Sequence, residues 1–284
     1  MSVIEWNDND LPGLLRAPRS DDDKYSRGVL GVFTGSESYP GAAVLGVEAA
    51  LRAGAGLVRY LGPVPERVLT RRPEAVPGDG RVQTLLAGSG TDGATLPEGL
   101  IARVREARSA RIPVVLDAGA LGLIRESAPE HAAPLLLTPH ARELSRLLSP
   151  AHPEAELPRI LADPPSAASR ASERFAAVVL LKSSQTVVAA PGGAVLRLPA
   201  ATPWLASAGT GDVLAGICGT LIAAAQADAE RADAPLTHER VRDLAGAAAR
   251  IHALAGADAS AGGPLLALDL AAAVPRVLAR LFTA

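Results

Sequence analysis

From residue 28 onward, short apolar runs alternate with longer amphipathic stretches. Residues 28–34 (GVLGVFT), 57–61, 82–87, 114–116 and 134–137 are leucine-rich or β-branched, with little polar alternation. That pattern predicts parallel strands buried on both faces. Between them, 42–53, stopped by Gly54, and 98–109 carry helical spacing. Strand, helix, strand in sequence predicts βαβ units with right-handed crossovers. After Pro150 the texture changes: helices near 154–162 and 166–175, then a strand at 177–181. Runs 186–190 and 194–198 flank Pro191-Gly192-Gly193, a hairpin signal. Helices near 211–226, 237–255 and 266–282 end the chain. No repeat or low-complexity linker interrupts it, so the expectation is one α/β domain over 1–284, with 1–24 as a lead-in and 18–24 (PRSDDDK) exposed and charged.

The polar interruptions follow the strands: Gly35-Ser36, Gly88-Ser89-Gly90, Asp117 and Thr138-Pro139-His140. In open parallel sheets ligands bind beyond the carboxyl ends of the strands, so four such clusters would line one crevice. Each cluster taken singly is also ordinary turn chemistry.

Composition narrows the function. Apolar residues make up 48% and charged residues 20%, and the net charge is −2. Those values describe a globular protein with no electrostatic footprint for nucleic acid or an anionic membrane. The single cysteine, Cys218, excludes an internal disulfide and reads as a buried small hydrophobe. The apolar run 213–227 is too short to span a bilayer and reads as a core helix. MSVIEWNDND lacks a signal pattern, and a cytoplasmic location is expected by elimination. The basic residues are arginines apart from Lys24 and Lys182, so a lysine inside a motif stands out.

The strongest motif is Ala208-Gly209-Thr210-Gly211-Asp212, running into an apolar helix. Glycines permit close backbone approach, and a helix N-terminus offers unpaired N–H groups; residues 208–211 thus form an anion hole suited to phosphate. Asp212 reads either as a plain first-turn residue or as a base for a substrate hydroxyl. Gly88-Ser89-Gly90-Thr91-Asp92-Gly93 matches G-x-G-x-x-G after a strand, with Asp117 ending the next. The match is imperfect, because 94–97 still reads as loop before a helix. In Thr138-Pro139-His140, Thr138 can cap a helix with Pro139 at its first position, leaving His140 aimed at the crevice with no second histidine nearby for a metal. Lys182-Ser183-Ser184-Gln185-Thr186 suits a phosphate or ribose, and equally a solvated turn. Ser36 to Ala43, including Ala42, admits a flat ligand or simply enters a helix. A Walker-type G-x-x-x-x-G-K-[ST] is absent.

Taken in order, 34–59, 87–90, 114–121, 136–144, 178–191 and 205–217 resemble the ribokinase-like superfamily, and within it the ADP/ATP-dependent NAD(P)H-hydrate dehydratases. The resemblance implies a ribokinase-like three-layer α/β/α sandwich with a mostly parallel sheet. It implies phosphorylation of the ring hydroxyl of hydrated NADH or NADPH by ADP or ATP, with Mg2+, followed by loss of phosphate. By resemblance Asp212 is the base, and Gly211 with its neighbours holds the transferring phosphate. Lys182, Ser183, Ser184, Gln185 and Thr186 contact the nucleotide. Ala42, Gly90, His140 and Asp212 contact the hydrated dinucleotide, and Asp117 matches an aspartate at the crevice. The family often has glycine where Ser183 stands, Gly-Gly where Ala208-Gly209 stands, and Gly-Pro-Gly where Gly88-Ser89-Gly90 stands. The resemblance also implies a homo-oligomer, such as a tetramer. An epimerase domain is often fused to the family; at this length it is expected as a separate protein.

Three other readings remain open at this point. A kinase of the same superfamily, acting on a hydroxyethylthiazole-type alcohol, would leave a stable phosphorylated product. An NAD-dependent dehydrogenase would rest on Gly88 to Gly93 and Asp117. A non-catalytic nucleotide sensor would tolerate loss of Asp212.

Overall fold

A computed structural model describes residues 2–125 and 133–283. Ten strands form one sheet: β1 Val3–Glu5, β2 Val29–Phe33, β3 Leu57–Tyr60, β4 Val76–Pro77, β5 Thr84–Ala87, β6 Val114–Leu116, β7 Leu135–Leu137, β8 Val178–Leu181, β9 Val187–Ala189 and β10 Val195–Arg197. Their spatial order is β1-β10-β9-β8-β7-β6-β5-β2-β3-β4. Among the described strands only the β8–β9 and β10–β9 pairs are antiparallel, so β9 runs against the other nine. Among the described residues the α-helices are α1 Leu11–Leu14, α2 Pro40–Arg52, α3 Pro65–Arg71, α4 Glu98–Ser109, α5 Ala141–Leu148, α6 Pro153–Ala162, α7 Pro164–Phe175, α8 Thr210–Arg231, α9 His238–Ser260 and α10 Ala267–Thr283.

Side chains of successive strand residues leave opposite faces, and this chain uses both. Val115, Leu136 and Leu180 join one core with α2, α8, α9 and α10. Leu116, Leu137 and Leu181 join a second with α4, α5, α6 and α7. The result is the expected α/β/α sandwich, with mostly parallel strands too apolar to face water on either side. Cys218 is fully buried, and burial pushes its thiol up to about 12.

Small residues set the spacing around α8. A β-carbon on Gly216 would lie 2.4 Å from the Gly46 carbonyl oxygen, so α2 and α8 meet backbone to backbone. Helix α8 has 22 residues, with a mean hydropathy of 1.3 in its most apolar window. It is therefore long and apolar enough to cross a bilayer, which corrects the length argument drawn from 213–227; 72% of that window is buried inside the protein.

The segment before residue 24 is not a free lead-in. Strand β1 pairs in parallel with β10, Leu11 is fully buried, and Trp6 packs on Gly246 of α9. Asp22, read as exposed, carries side-chain ion pairs to Arg16 and Arg231 with its own side chain 3% exposed. Burial of Leu11 alone is worth roughly 1.5–3 kcal/mol.

Candidate active site

The parallel strands β2, β5, β6, β7 and β8 end side by side, so the residues that follow them share one edge of the sheet. Hydrogen bonds then link those residues. The Gly35 N–H donates to the Ser89 carbonyl at 2.7 Å. The Ser89 hydroxyl donates to Asp117 Oδ2 at 2.7 Å. On the other oxygen, Oδ1, Asp117 accepts from the Thr138 hydroxyl at 2.7 Å and from Lys182 Nζ at 2.9 Å. Ser89, Thr138 and the motif lysine thus converge on the Asp117 carboxylate, and Gly35 joins them through the Ser89 backbone.

Asp117 is only 3% exposed. Burial would raise its pKa, but the Lys182 charge and the three hydrogen bonds prevail and hold it below the usual carboxylate range. Lys182 answers in kind: burial works against its charge, yet Asp117 and Glu143 keep the ammonium above its ordinary value. Its Nζ lies 3.9 Å from Glu143 Oε2, and a β-carbon on Gly211 would sit 3.7 Å from it. The ammonium therefore stands over the first turn of α8.

That turn is held from behind. Gly209 precedes α8 with φ +87°, and a β-carbon there would lie 2.5 Å from Leu45 Cδ1, so only glycine fits. The Thr210 hydroxyl sits 2.8 Å from the Leu205 carbonyl and 2.9 Å from that of Ser207. His252, from α9, lies with Nε2 2.9 Å from the Thr210 carbonyl oxygen, so this nitrogen carries the proton and donates. Burial pushes the His252 imidazole down to about 4, so the ring is neutral. Sequence reading missed this residue; its signal was a lone histidine amid apolar helix positions 251–255. The first helical bond at this end is Val213 N–H to the Gly209 carbonyl. Ahead of it, the N–H groups of Gly211 and Asp212 meet no acceptor among the described residues, which leaves an anion hole.

The Asp212 carboxylate likewise receives no hydrogen bond from any described residue. Burial first, and then the negative charge of Asp117, push it up to about 6 against the pull of Lys182. A carboxylate so placed can take a proton near neutral pH.

A groove of about 810 Å3 opens beside Glu143, lined by Tyr39, Gly90, Gly93, Gly119 and Arg146 among others; Asp212 and Lys182 do not line it. Gly90 (φ +69°) brings its backbone against Ala42: a β-carbon would lie 2.5 Å from that of Ala42. His140 is the N-cap of α5; its Nδ1 accepts from the N–H groups of Arg142 and Glu143, and Glu143 returns a bond to the His140 N–H. Burial and the nearby Lys182 and Arg146 charges lower its pKa despite Glu143, leaving a neutral ring with its proton on Nε2. The cap is therefore His140 and not Thr138, and α5 starts at Ala141 and not Pro139. Thr138 is buried and spends its hydroxyl on Asp117.

Ser183, Ser184 and Gln185 form an exposed turn directly after Lys182, with Thr186 half-buried at its end. The Ser183 hydroxyl donates to the Gln185 carbonyl and that of Thr186 to the Ser183 carbonyl, so both are used within the turn. Ala208, in the glycine loop, is exposed.

Among the described residues no group of three His, Cys, Asp or Glu side chains could hold a metal ion. The donor set does not fit a resident Mg2+, since Asp117 is sealed and already salt-bridged.

A family model described as NAD(P)H-hydrate dehydratase matches residues 30–276. The chain belongs to this family. It is 38% identical over 255 residues to the bifunctional NAD(P)H-hydrate repair enzyme Nnr of Corynebacterium glutamicum, covering 84% of this chain and 44% of that protein. It is 32% identical over 231 residues to the ADP-dependent (S)-NAD(P)H-hydrate dehydratase of Neisseria meningitidis serogroup B, covering 75% of each. A solved ADP/ATP-dependent NAD(P)H-hydrate dehydratase from Bacillus subtilis, co-crystallised with ATP/Mg2+, superposes with a TM-score of 0.83 over 99% of both chains at 24% identity and shares the ribokinase-like fold. The chain spans about half the length of the bifunctional relatives it matches.

The dinucleotide-fingerprint reading of Gly88 to Gly93 makes demands that the structure can test. A dinucleotide loop opens a helix within its glycines, with a free acidic residue on the next strand. Here residues 88–93 are turns, α4 begins only at Glu98, and Asp117 is buried against Lys182. The fingerprint is one wall of the groove, and the dehydrogenase reading fails on it.

Proposed function

We propose that the protein dehydrates hydrated NADH or NADPH, with ADP or ATP as phosphoryl donor. The observation that carries the reading is Asp212: a carboxylate poised near neutral pH, without a hydrogen-bond partner, between a helix N-terminus and a fixed ammonium. Asp212 takes the proton from the ring hydroxyl as its oxygen forms a bond to the terminal phosphorus of the donor, and the bond from that phosphorus to the bridging oxygen breaks, releasing AMP from ADP or ADP from ATP. Gly211 and Asp212 N–H groups and Lys182 neutralise the charge on the transferring group. Phosphate, a far better leaving group than hydroxide, then departs as the ring nitrogen donates its electron pair. Loss of a proton from the adjacent ring carbon restores the double bond. The donor's own phosphates carry Mg2+ into the site, as the substrate complex. Ala42, Gly90 and His140 contact the hydrated dinucleotide, and the turn from Ser183 to Thr186 contacts the nucleotide.

The same reading includes a cytoplasmic location, a homo-oligomeric assembly that light scattering would measure, and an epimerase activity as functional partner. The test of the reaction is incubation with hydrated NADH, Mg2+ and either ADP or ATP, following the return of nicotinamide absorbance. Recovery is expected with one donor or both, and its absence with both overturns the reading. Accumulation of a stable phosphorylated product would instead favour a kinase. Asp212→Asn is expected to lower kcat by at least about a hundredfold.

A further inference from the structure

We propose that Asp117 is a positioning residue: it clamps the Lys182 ammonium over the first turn of α8 and keeps it from neutralising Asp212. The proposal rests on the reading of Asp212 as the base.

Asp117 cannot itself meet a substrate. It is nearly sealed, and both its oxygens are taken, one by Ser89 and the other by Thr138 and Lys182. What it can do is decide where a long, flexible cation rests. Lys182 has two other carboxylates within its range of action, Glu143 with Oε2 at 3.9 Å and Asp212. An ammonium paired directly with Asp212 would stabilise the charged carboxylate and make it a weak base. The three-point hold on Asp117 draws the ammonium to the floor of the site, close enough to Gly211 to face an anion there. The arrangement supplies a positive charge to an incoming phosphoryl group and leaves Asp212 without a partner.

The surroundings of Asp212 support this division of labour. From the strand ends it meets Asp117 and Lys182, with Glu143 and His140 of α5 behind the lysine. Helix α2 presents Leu45 and Gly46 to the loop and α10 presents Ala267, none of them titratable. From α9 comes His252, neutral and turned to the Thr210 carbonyl. The Asp117–Lys182 pair is therefore the charged element that governs Asp212.

The test uses Asp117→Asn, which preserves shape while removing the charge. The primary readout is the titration of the Asp212 carboxyl carbon by 13C NMR, assigned by its loss in Asp212→Asn. The expected result is a downward move of about one pH unit, clearly larger than the move the same change causes in a Lys182→Met background, where only the lost Asp117 charge acts; equal moves in the two backgrounds overturn the proposal. In the dehydration assay kcat is expected to fall at least about tenfold while KM for the hydrate changes less than about threefold. In a Lys182→Met background, the same Asp117→Asn change is expected to cost less than about threefold, because the residue it acts through is gone. An Asp212 titration that stays in place in the folded Asp117→Asn protein overturns the proposal, as does an equal kcat loss in both backgrounds. If Asp117→Asn does not fold, Thr138→Val loosens the same Oδ1 atom and leaves the charge. A smaller downward move then supports the clamp, and none overturns it. The titration needs no substrate, so failure of the dehydration assay alone would count against the proposed reaction and leave this inference standing on its own result.

Discussion

A carboxylate in the first turn of a helix ordinarily gains from the N–H groups beside it and ionises more readily. Asp212 does the reverse, because burial and the Asp117 charge outweigh that help and hold it at about 6. The consequence for activity is an acid limb. kcat/KM is expected to rise as pH passes through about 6 and to level above it, since only the ionised form accepts a proton; a pH–rate profile of the free enzyme checks this. The consequence for stability has the opposite sign. A group whose folded pKa is raised stabilises the fold when protonated, and that contribution is lost as pH climbs from about 4 to about 6. Asp212→Asn is therefore expected to unfold roughly 2–4 °C higher than the native protein at pH 8, and at the same temperature near pH 4, by calorimetry. At this scale the sequence singled out Asp212 and Lys182, through a motif and through the rarity of lysine, and the fold brings Lys182 to the first turn of α8. It misplaced Thr138, because a Thr-Pro pair looks like a local cap while its true partner, Asp117, is 21 positions away. Long-range partners of that kind leave no local trace.

Elements deliver these groups with little play. The N-terminus of α8 is held by Gly209 against Leu45, by the Thr210 hydroxyl and by His252 from α9. Since His252 is pushed down to about 4 from an ordinary 6.5, the fold needs it neutral. Its contribution is intact above about pH 6.5 and is lost as pH falls from there toward 4, up to about 3 kcal/mol. Asp212 works the other way over part of that window, so a single titration of stability mixes the two. The expected outcome is read as a difference: His252→Gln, which keeps a donor at the same reach, loses less stability between pH 7 and pH 5 than the native protein in urea unfolding, with activity at pH 7 retained. The central strands were legible because both faces are apolar; β1 and β4 were not, being three and two residues long with mostly exposed side chains. An edge strand that faces water carries no hydrophobic signature to read.

Over the whole molecule, the sheet places the chemistry at one end and closes its far edge with the first residues of the chain. Strand β1 covers the open side of β10, and Leu11 fills the core beneath it. Removal of residues 2–15 is expected to lower the thermal midpoint by roughly 10 °C and to promote association through the bared β10 edge, as measured by calorimetry and light scattering. Residues 18–24 are exposed as their charge suggests, apart from Asp22, because a sequence does not display that this aspartate is claimed by Arg231, far along the chain.

The single reversed strand, β9, has a consequence of its own. Parallel neighbours need a crossover of a dozen or more residues, which would carry the chain around the outside of the sheet. By turning back, β9 and β10 form a closed loop of polypeptide that leaves the catalytic edge after Lys182 and returns to it in time to enter α8. The cation and the base are thus neighbours in sequence, 30 positions apart, tethered by one hairpin. The hairpin limits how far the two charges can part, and the docking of α8 against α2 and α9 fixes where Asp212 stands within that reach.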